Sequence, residues 1–91
     1  MILLVTYDLH DPGRNYPKVE KALKAAHSYV HPLGSVWLLD STDKPSIWRD
    51  RLKAAGDSTD EFFVVQIREH WASSQMDKEA AAWLKSGERR W

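Results

Sequence analysis

Cysteine is absent from this 91-residue chain. The absence excludes disulfide bonds, thiolate metal sites and a cysteine nucleophile. It also argues against a small secreted scaffold, because such domains usually depend on disulfides for their stability. The composition therefore predicts a protein of a reducing compartment, the cytoplasm.

A charge excess of one sign and long apolar runs are also missing. Thirteen Lys and Arg residues balance thirteen Asp and Glu residues, so no strong overall field attracts nucleic acid or an acidic membrane. No segment approaches the roughly 20 apolar residues that a membrane-spanning helix needs. The apolar residues 1–5 give way to Thr6-Tyr7-Asp8 too early for a secretory signal, so they predict a strand. We expect a soluble single domain over residues 1–91 with no membrane partner.

Three common catalytic motifs are missing as well. The sequence has no Gly-rich phosphate loop, no His-Glu-x-x-His zinc motif and no nucleophile elbow. Nucleotide hydrolase, zinc protease and esterase classes therefore have no support.

What is present is an alternation of strand and helix patterns. Runs of β-branched and aromatic residues predict strands, and apolar residues at three- and four-residue steps predict helices. Capping residues, prolines and glycines mark the ends. The predicted strands are residues 2–7, 27–31, 35–40 and 61–68, and the predicted helices are residues 17–26, a second from Pro45 to a stop at Gly56, and a third from Ser73 or Ser74 to Gly87.

This order predicts an α+β fold, a ferredoxin-like βαββαβ two-layer sandwich with an additional C-terminal helix. Residues 1–68 would form the ferredoxin-like core, and residues 69–91 the extension with the last helix. Both crossover helices of such a core lie on one face of the sheet, yet the first and last strands carry apolar residues for both faces. The extra helix, a second subunit or both must cover the second face, and we expect a homodimer.

The aromatic residues divide between core and chain end. Trp48 and Trp83 fall on the apolar faces of predicted helices. The segment Glu88-Arg89-Arg90-Trp91 is dense in basic charge beside an aromatic residue, which could stack on a base or pair with a phosphate. We interpret it instead as a solvated, frayed tail.

Two short stretches resemble a known family. The first strand ends in Thr6-Tyr7-Asp8, and the hairpin carries Ser35-Val36-Trp37-Leu38-Leu39. Together with the loop and helix between them, they resemble the second CRISPR-associated protein, a spacer-acquisition subunit, and its VapD-like relatives. The resemblance implies a ferredoxin-like homodimer that is a metal-dependent nuclease in some members and joins an integrase-type partner in others. The neutral charge, the Asn15-Tyr16-Pro17 helix start and the Trp83-Leu84-Lys85 helix are more similar to a stand-alone member.

The same resemblance assigns roles to two residues. Asp8, which ends the first strand, would bind a divalent ion, Mg²⁺ or Mn²⁺. Ser35, which precedes an aliphatic and an aromatic residue in the hairpin, would make a polar contact.

Asp8 also stands out on chemical grounds. A carboxylate where a strand opens into a loop is partly shielded yet reachable, and hard cations such as Mg²⁺ prefer oxygen ligands. Because a lone carboxylate binds metal poorly, we hypothesise that two Asp8 side chains converge on one ion across a dimer axis, with a bound water as the nucleophile that attacks a phosphodiester. The alternative is that Asp8 accepts backbone N–H groups of its own loop.

Further candidates lie near Asp8 or in the hairpin. Asp11 could add a second carboxylate, although its Asp-Pro-Gly context favours a turn. Histidine can transfer a proton near neutral pH, which makes His10 and His31 candidates. Arg14 and Lys18 flank the start of the predicted first helix, where a phosphate could rest, and solvated basic side chains are the alternative.

Two functions therefore stay open. The first is an Mg²⁺- or Mn²⁺-dependent endonuclease with Asp8 as metal ligand and Ser35 or His31 as supporting polar groups. The second is a non-catalytic homodimeric module that binds nucleic acid or a protein partner. No base-reading or 2′-hydroxyl-reading motif distinguishes RNA from DNA as the substrate.

Overall fold

The chain forms four strands and three helices over the part that the computed structural model describes, which is residues 1–91 without the side chain of Pro12. The strands are β1 (Ile2–Asp8), β2 (Ser28–Leu33), β3 (Val36–Asp40) and β4 (Glu61–Ile67), and the helices are α1 (Pro12–Leu23), α2 (Pro45–Ala55) and α3 (Lys78–Lys85). The predicted α+β class is confirmed. None of these helices has both the length and the apolar composition to cross a membrane.

The strands form one antiparallel sheet in the order β2-β3-β1-β4. Strand β1 pairs with β3 on one side, where Leu4 lies opposite Leu38, and with β4 on the other, where Val5 lies opposite Val64. Both the odd-numbered and the even-numbered positions of β1 carry apolar residues, so the strand has apolar side chains on both faces of the sheet. Such a strand suits the centre of a sheet that is covered on both faces. Strands β2 and β4 are the two edges.

Helices α1 and α2 cover the first face of the sheet. Side chains of a strand alternate between faces, and the first-face residues of β1 and β3 pack on the apolar stripes of both helices. The Trp48 indole Nε1 donates to Ser41 Oγ at 2.9 Å, so the prediction that Trp48 lies on a core face is confirmed and its polar atom is satisfied. The buried members of this core are Leu3, Val5, Val19, Leu23, Trp37, Leu39, Trp48 and Leu52.

Helix α3 covers the side of the second face that lies over β2 and β3. The Trp83 indole Nε1 also donates to Ser28 Oγ of β2, at 2.8 Å. Of the covers that the sequence left open, the extra helix or a second subunit, the extra helix covers this side of the second face, whereas Phe63 of β4 is 60% exposed. The buried members of this second-face core are Val30, Leu38, Ala80 and Leu84.

Helix α1 begins at Pro12 rather than at residue 17, as the sequence pattern had predicted. The backbone N–H groups of Arg14 and Asn15 donate to the carbonyl of Asp11 at 3.1 and 2.9 Å, so the first turn is closed before Pro17. Pro17 lies inside the helix, where its missing N–H removes one helical hydrogen bond. A second proline upstream therefore marks the true start.

Helix α3 begins at Lys78, so the predicted caps Ser73 and Ser74 are wrong. Gln75 has φ of 58°, in the left-handed region, which interrupts a helical run between those serines and the helix. The Asp77 carboxylate caps the helix, because it accepts the N–H of Ala80 at 3.1 Å.

The C-terminal tail docks on the sheet, so the prediction of a frayed, solvated tail is wrong. Asp40, at the end of β3, is fully buried. Its carboxylate accepts the backbone N–H and the Nε–H of Arg90, both at 3.3 Å, and lies 3.8 Å from Nη1 of Arg89. The Arg89 guanidinium also lies 4.3 Å from the centroid of the Trp83 ring, and Trp91 packs against the second-face core. A buried carboxylate is costly without a cation, and the tail supplies two.

We expect Asp40→Asn to lower the free energy of unfolding by about 3 kcal/mol, because it removes the one buried carboxylate beside Arg89 and leaves that buried charge only the exposed Glu88, at 3.8 Å, as an anionic partner. Urea unfolding at neutral pH measures this. Asp43→Asn is the matched control, because the Asp43–Arg51 pair is about half exposed and such pairs contribute about 0–1 kcal/mol. Equal losses in the two variants would show that Asp40 does not hold the tail.

Candidate functional site

The end of β1 brings two carboxylates together. Asp8 is exposed and lies directly opposite Glu61, the first residue of β4. Residues that face each other across antiparallel strands have Cβ atoms about 5 Å apart and point to the same face of the sheet. Sequence reasoning missed Glu61, because its position beside Asp8 depends on the register between strands that are distant in the chain.

Asp8 also borders a depression that contains Ser35. This depression has a volume of about 390 Å³. The resemblance had singled out Asp8 and Ser35 separately, and the fold brings them to one surface. The lining residues are Tyr7, Asp8, Leu9, Tyr16, Gly34 and Ser35.

His31 lies outside this depression. Its imidazole ring stacks on Trp37 with centroids 4.3 Å apart and 14° between the planes. Its Nε2 lies 2.7 Å from the carbonyl oxygen of Gly34, and because a carbonyl only accepts, the ring donates from Nε2. His31 therefore contacts the turn that carries Ser35 and lines a different depression, beside Glu20 of α1.

Two tyrosines form a wall of the Asp8–Ser35 depression. The ring centroids of Tyr7 and Tyr16 are 6.3 Å apart, and the Tyr7 hydroxyl accepts the indole Nε1–H of Trp37 at 3.3 Å. Burial raises the pKa of Tyr16 above its ordinary value, and the hydrogen bond with Glu20 raises it further. Tyr16 therefore stays a neutral phenol at physiological pH, and its single O–H is donated to the Glu20 carboxylate.

The Asp60 carboxylate holds the loop that follows Asp8. Its Oδ1 accepts the backbone N–H of His10 at 2.7 Å, and its Oδ2 accepts the Asn15 side-chain amide at 2.9 Å and the backbone N–H of Asp57 at 2.7 Å. The N–H of His10, a candidate donor for Asp8, thus goes to Asp60 instead. The N–H of Asp57, then that of His10, lowers the pKa of Asp60 below its ordinary 3.8, and the Asn15 amide adds to the shift. Sequence reasoning had treated Asp60 only as part of a polar turn.

The remaining candidates are exposed and lie next to this loop. Because α1 begins at Pro12, Arg14 and Lys18 lie within the helix, whereas the sequence had predicted that they flank its start; both side chains are exposed. Asp11 occupies the N-cap position of α1, although its side chain makes no capping hydrogen bond. These residues leave an accessible polar border on the α1 side of the loop after Asp8.

The site offers few groups for a metal ion. Within the described residues, no cluster of three or more His, Cys, Asp or Glu side chains is placed to hold one. The Asp8–Glu61 pair is therefore a minimal ligand set.

The chain matches no family model, and neither the curated proteins nor the solved structures give a significant match. The resemblance carried by Thr6-Tyr7-Asp8 and the hairpin segment therefore stays a hypothesis.

The lowered pKa of Asp60 makes the stability of the fold depend on pH. A carboxylate whose pKa is lowered in the folded state stabilises the fold above its ordinary pKa of 3.8, and this contribution is lost as the pH falls through the lower folded value. We expect Asp60→Asn to lower the Tm by several degrees at neutral pH, because an amide cannot accept all three donors. The fall in Tm between about pH 5 and pH 2 should be shallower than in the wild type.

Thermal melts across this pH range test the prediction. Asp50→Asn is the control, because Asp50 is exposed and pairs only with its neighbour Arg49 in the described structure. If Asp60→Asn gave the same pH profile as the wild type, Asp60 would not be the titrating group.

Proposed function

We propose that this chain is a cytoplasmic homodimeric nuclease that depends on Mg²⁺ or Mn²⁺ and is similar to the second CRISPR-associated protein and its VapD-like relatives. The observation that carries the proposal is the pair of carboxylates, Asp8 opposite Glu61, of which Asp8 also lines the depression that contains Ser35. Two carboxylates are a sufficient protein contribution for Mg²⁺, which usually keeps several of its waters.

A ferredoxin-like fold is part of the same proposal. The antiparallel order β2-β3-β1-β4, with α1 and α2 on one face, supports it. Helix α3 would then be an addition to that core on the opposite face.

The protein residues would divide the chemical tasks. Asp8 and Glu61 would hold the ion, which when bound polarises a phosphodiester and makes water a better nucleophile at neutral pH. The Ser35 hydroxyl would donate a hydrogen bond to a phosphate oxygen. Arg14 and Lys18 would attract the phosphate backbone, since charge-assisted contacts to phosphate are strong.

His31 has a different role in this proposal from the catalytic one that the sequence suggested. Its hydrogen bond to Gly34 and its stacking on Trp37 fix the turn that presents Ser35. His31 would therefore be a positioning residue rather than a proton donor to a leaving oxygen.

The second candidate function is a homodimeric module that binds nucleic acid or an integrase-type protein without cleavage. The small ligand set favours it, because the described residues place no third metal-binding side chain near Asp8 and Glu61. The neutral net charge is more easily reconciled with a protein partner than with tight binding to nucleic acid.

We expect Asp8→Asn and Glu61→Gln each to reduce metal-dependent cleavage of labelled RNA or DNA by about 100-fold or more, because a catalytic ion contributes several kcal/mol to the transition state. Cleavage is measured with Mg²⁺, Mn²⁺ or EDTA at matched oligomeric state. Asp50→Asn, a remote carboxylate-to-amide change, should cleave like the wild type.

A binding measurement separates the two candidate functions. In the nuclease, Mg²⁺ or Mn²⁺ raises the Tm of the wild type and of Asp50→Asn but not of Asp8→Asn. Absence of cleavage together with absence of a metal-dependent Tm shift would reject the nuclease and leave the binding module.

A further inference from the structure

The two edge strands differ in how they are protected. Strand β2 contains Pro32, which has no N–H to offer another strand, and its register with β3 shifts between Val30 and Leu33. Strand β4 pairs with β1 in an unbroken register and contains no Pro, Gly or Lys. Native proteins usually blunt an open edge with such residues or with a bulge, since an open edge pairs with other strands. Strand β4 is therefore the unprotected edge.

The side chains of β4 are also incompletely covered on both faces. Phe63, on the second face, is 60% exposed, and its neighbour Val65 is half-buried. Phe62 and Val64, on the first face, are likewise half-buried. None of the seven residues of β4, all of which are described, is buried, in contrast to the adjacent β1. Another strand beside β4 would cover this apolar surface.

The charges at the two ends of β4 are opposite in sign, so they would pair if two copies of the strand lay antiparallel. Asp60 and Glu61 precede the apolar run, and Arg68 follows it. In an antiparallel pair with Val64 opposite its own copy, Arg68 would lie opposite Asp60 of the other chain. The Asp60 carboxylate keeps its negative charge while it accepts the three N–H groups of its own chain, and opposite charges across strands stabilise a sheet. The same register keeps equivalent sheet faces on the same side, because opposite residues share a face.

We propose that β4 is a dimer seam, at which two copies of the chain pair their β4 strands antiparallel about Val64 and form one continuous sheet. In this seam Phe63 of each copy lies beside Val65 of the other and loses its exposure. The inference rests on the homodimer of the proposed function but not on any nuclease activity.

The seam determines where the two candidate sites lie. Glu61 is three residues from Val64, and a strand rises about 3.4 Å per residue, so the two Glu61 side chains lie about 20 Å apart. Each chain then keeps its own Asp8–Glu61 pair. The earlier hypothesis, in which two Asp8 side chains share one ion, is incompatible with this seam.

Sedimentation velocity and light scattering test the seam with Phe63→Lys. The wild type is expected at twice the 10.5 kDa mass of one chain, and Phe63→Lys should raise the dimer dissociation constant by about 30-fold or more. Leu33→Lys is the matched control, because Leu33 is 57% exposed on the other edge strand and should leave the dimer unchanged. Circular dichroism confirms that both variants are folded.

Val64→Cys tests the register, because the chain has no other cysteine. Opposite Cα atoms in an antiparallel pair lie about 4.5–5.5 Å apart, within the range of a disulfide, so oxidation should give a covalent dimer from Val64→Cys and none from Leu33→Cys. A wild type that stays monomeric at about 1 mM, a fully dimeric Phe63→Lys variant, or a Val64→Cys variant that does not cross-link would overturn the proposal. None of these readouts measures cleavage, so they leave the nuclease proposal to its own test.

Discussion

Strand β1 carries apolar side chains toward both faces of the sheet, and much of the architecture follows from the need to cover both. Leu3 and Val5 point to the first face, where α1 and α2 pack. Ile2 and Leu4 point to the second face, toward α3 and the docked tail. A strand of this kind is stable only in the centre of a sheet with a layer on each side. The C-terminal extension is therefore part of the core rather than an appendage to it.

The second layer is held by charge as well as by apolar contacts. Asp40 lies directly opposite Ile2 in the sheet, so it is buried beside the central strand, and its cations come from Arg89 and Arg90 at the far end of the chain. Apolar contacts alone would allow the tail several positions on the sheet. A buried ion pair adds little net stability compared with apolar residues of similar size, but in this fold it ties the tail to one place. Some of the charges that balance in the neutral net charge, those of Asp40, Arg89 and Arg90, therefore pair with each other within the fold.

Local patterns predicted the elements, whereas the site depends on contacts between distant segments. Helix α2 was predicted from Pro45 to Gly56 because both ends carry strong local signals. The start of α1 was misplaced because Pro12 and Pro17 both suit the first turn of a helix, and the spacing of the apolar residues does not show which of them begins it. Glu61 and Asp60 could not be found from the sequence, since their partners lie about 50 residues away and the register between strands has no local signature.

Two features of β4 oppose stability, and they lie in the same strand. Glu61 places a like charge opposite Asp8, which destabilises a strand pair, and the open edge with its exposed Phe63 favours association with other chains. An uncharged residue at position 61 and a lysine within β4 would remove both without disturbing the core. Sequences usually depart from such local rules where function requires it. Both departures lie in one strand beside the end of β1, so the candidate site and the open edge occupy the same part of the sheet.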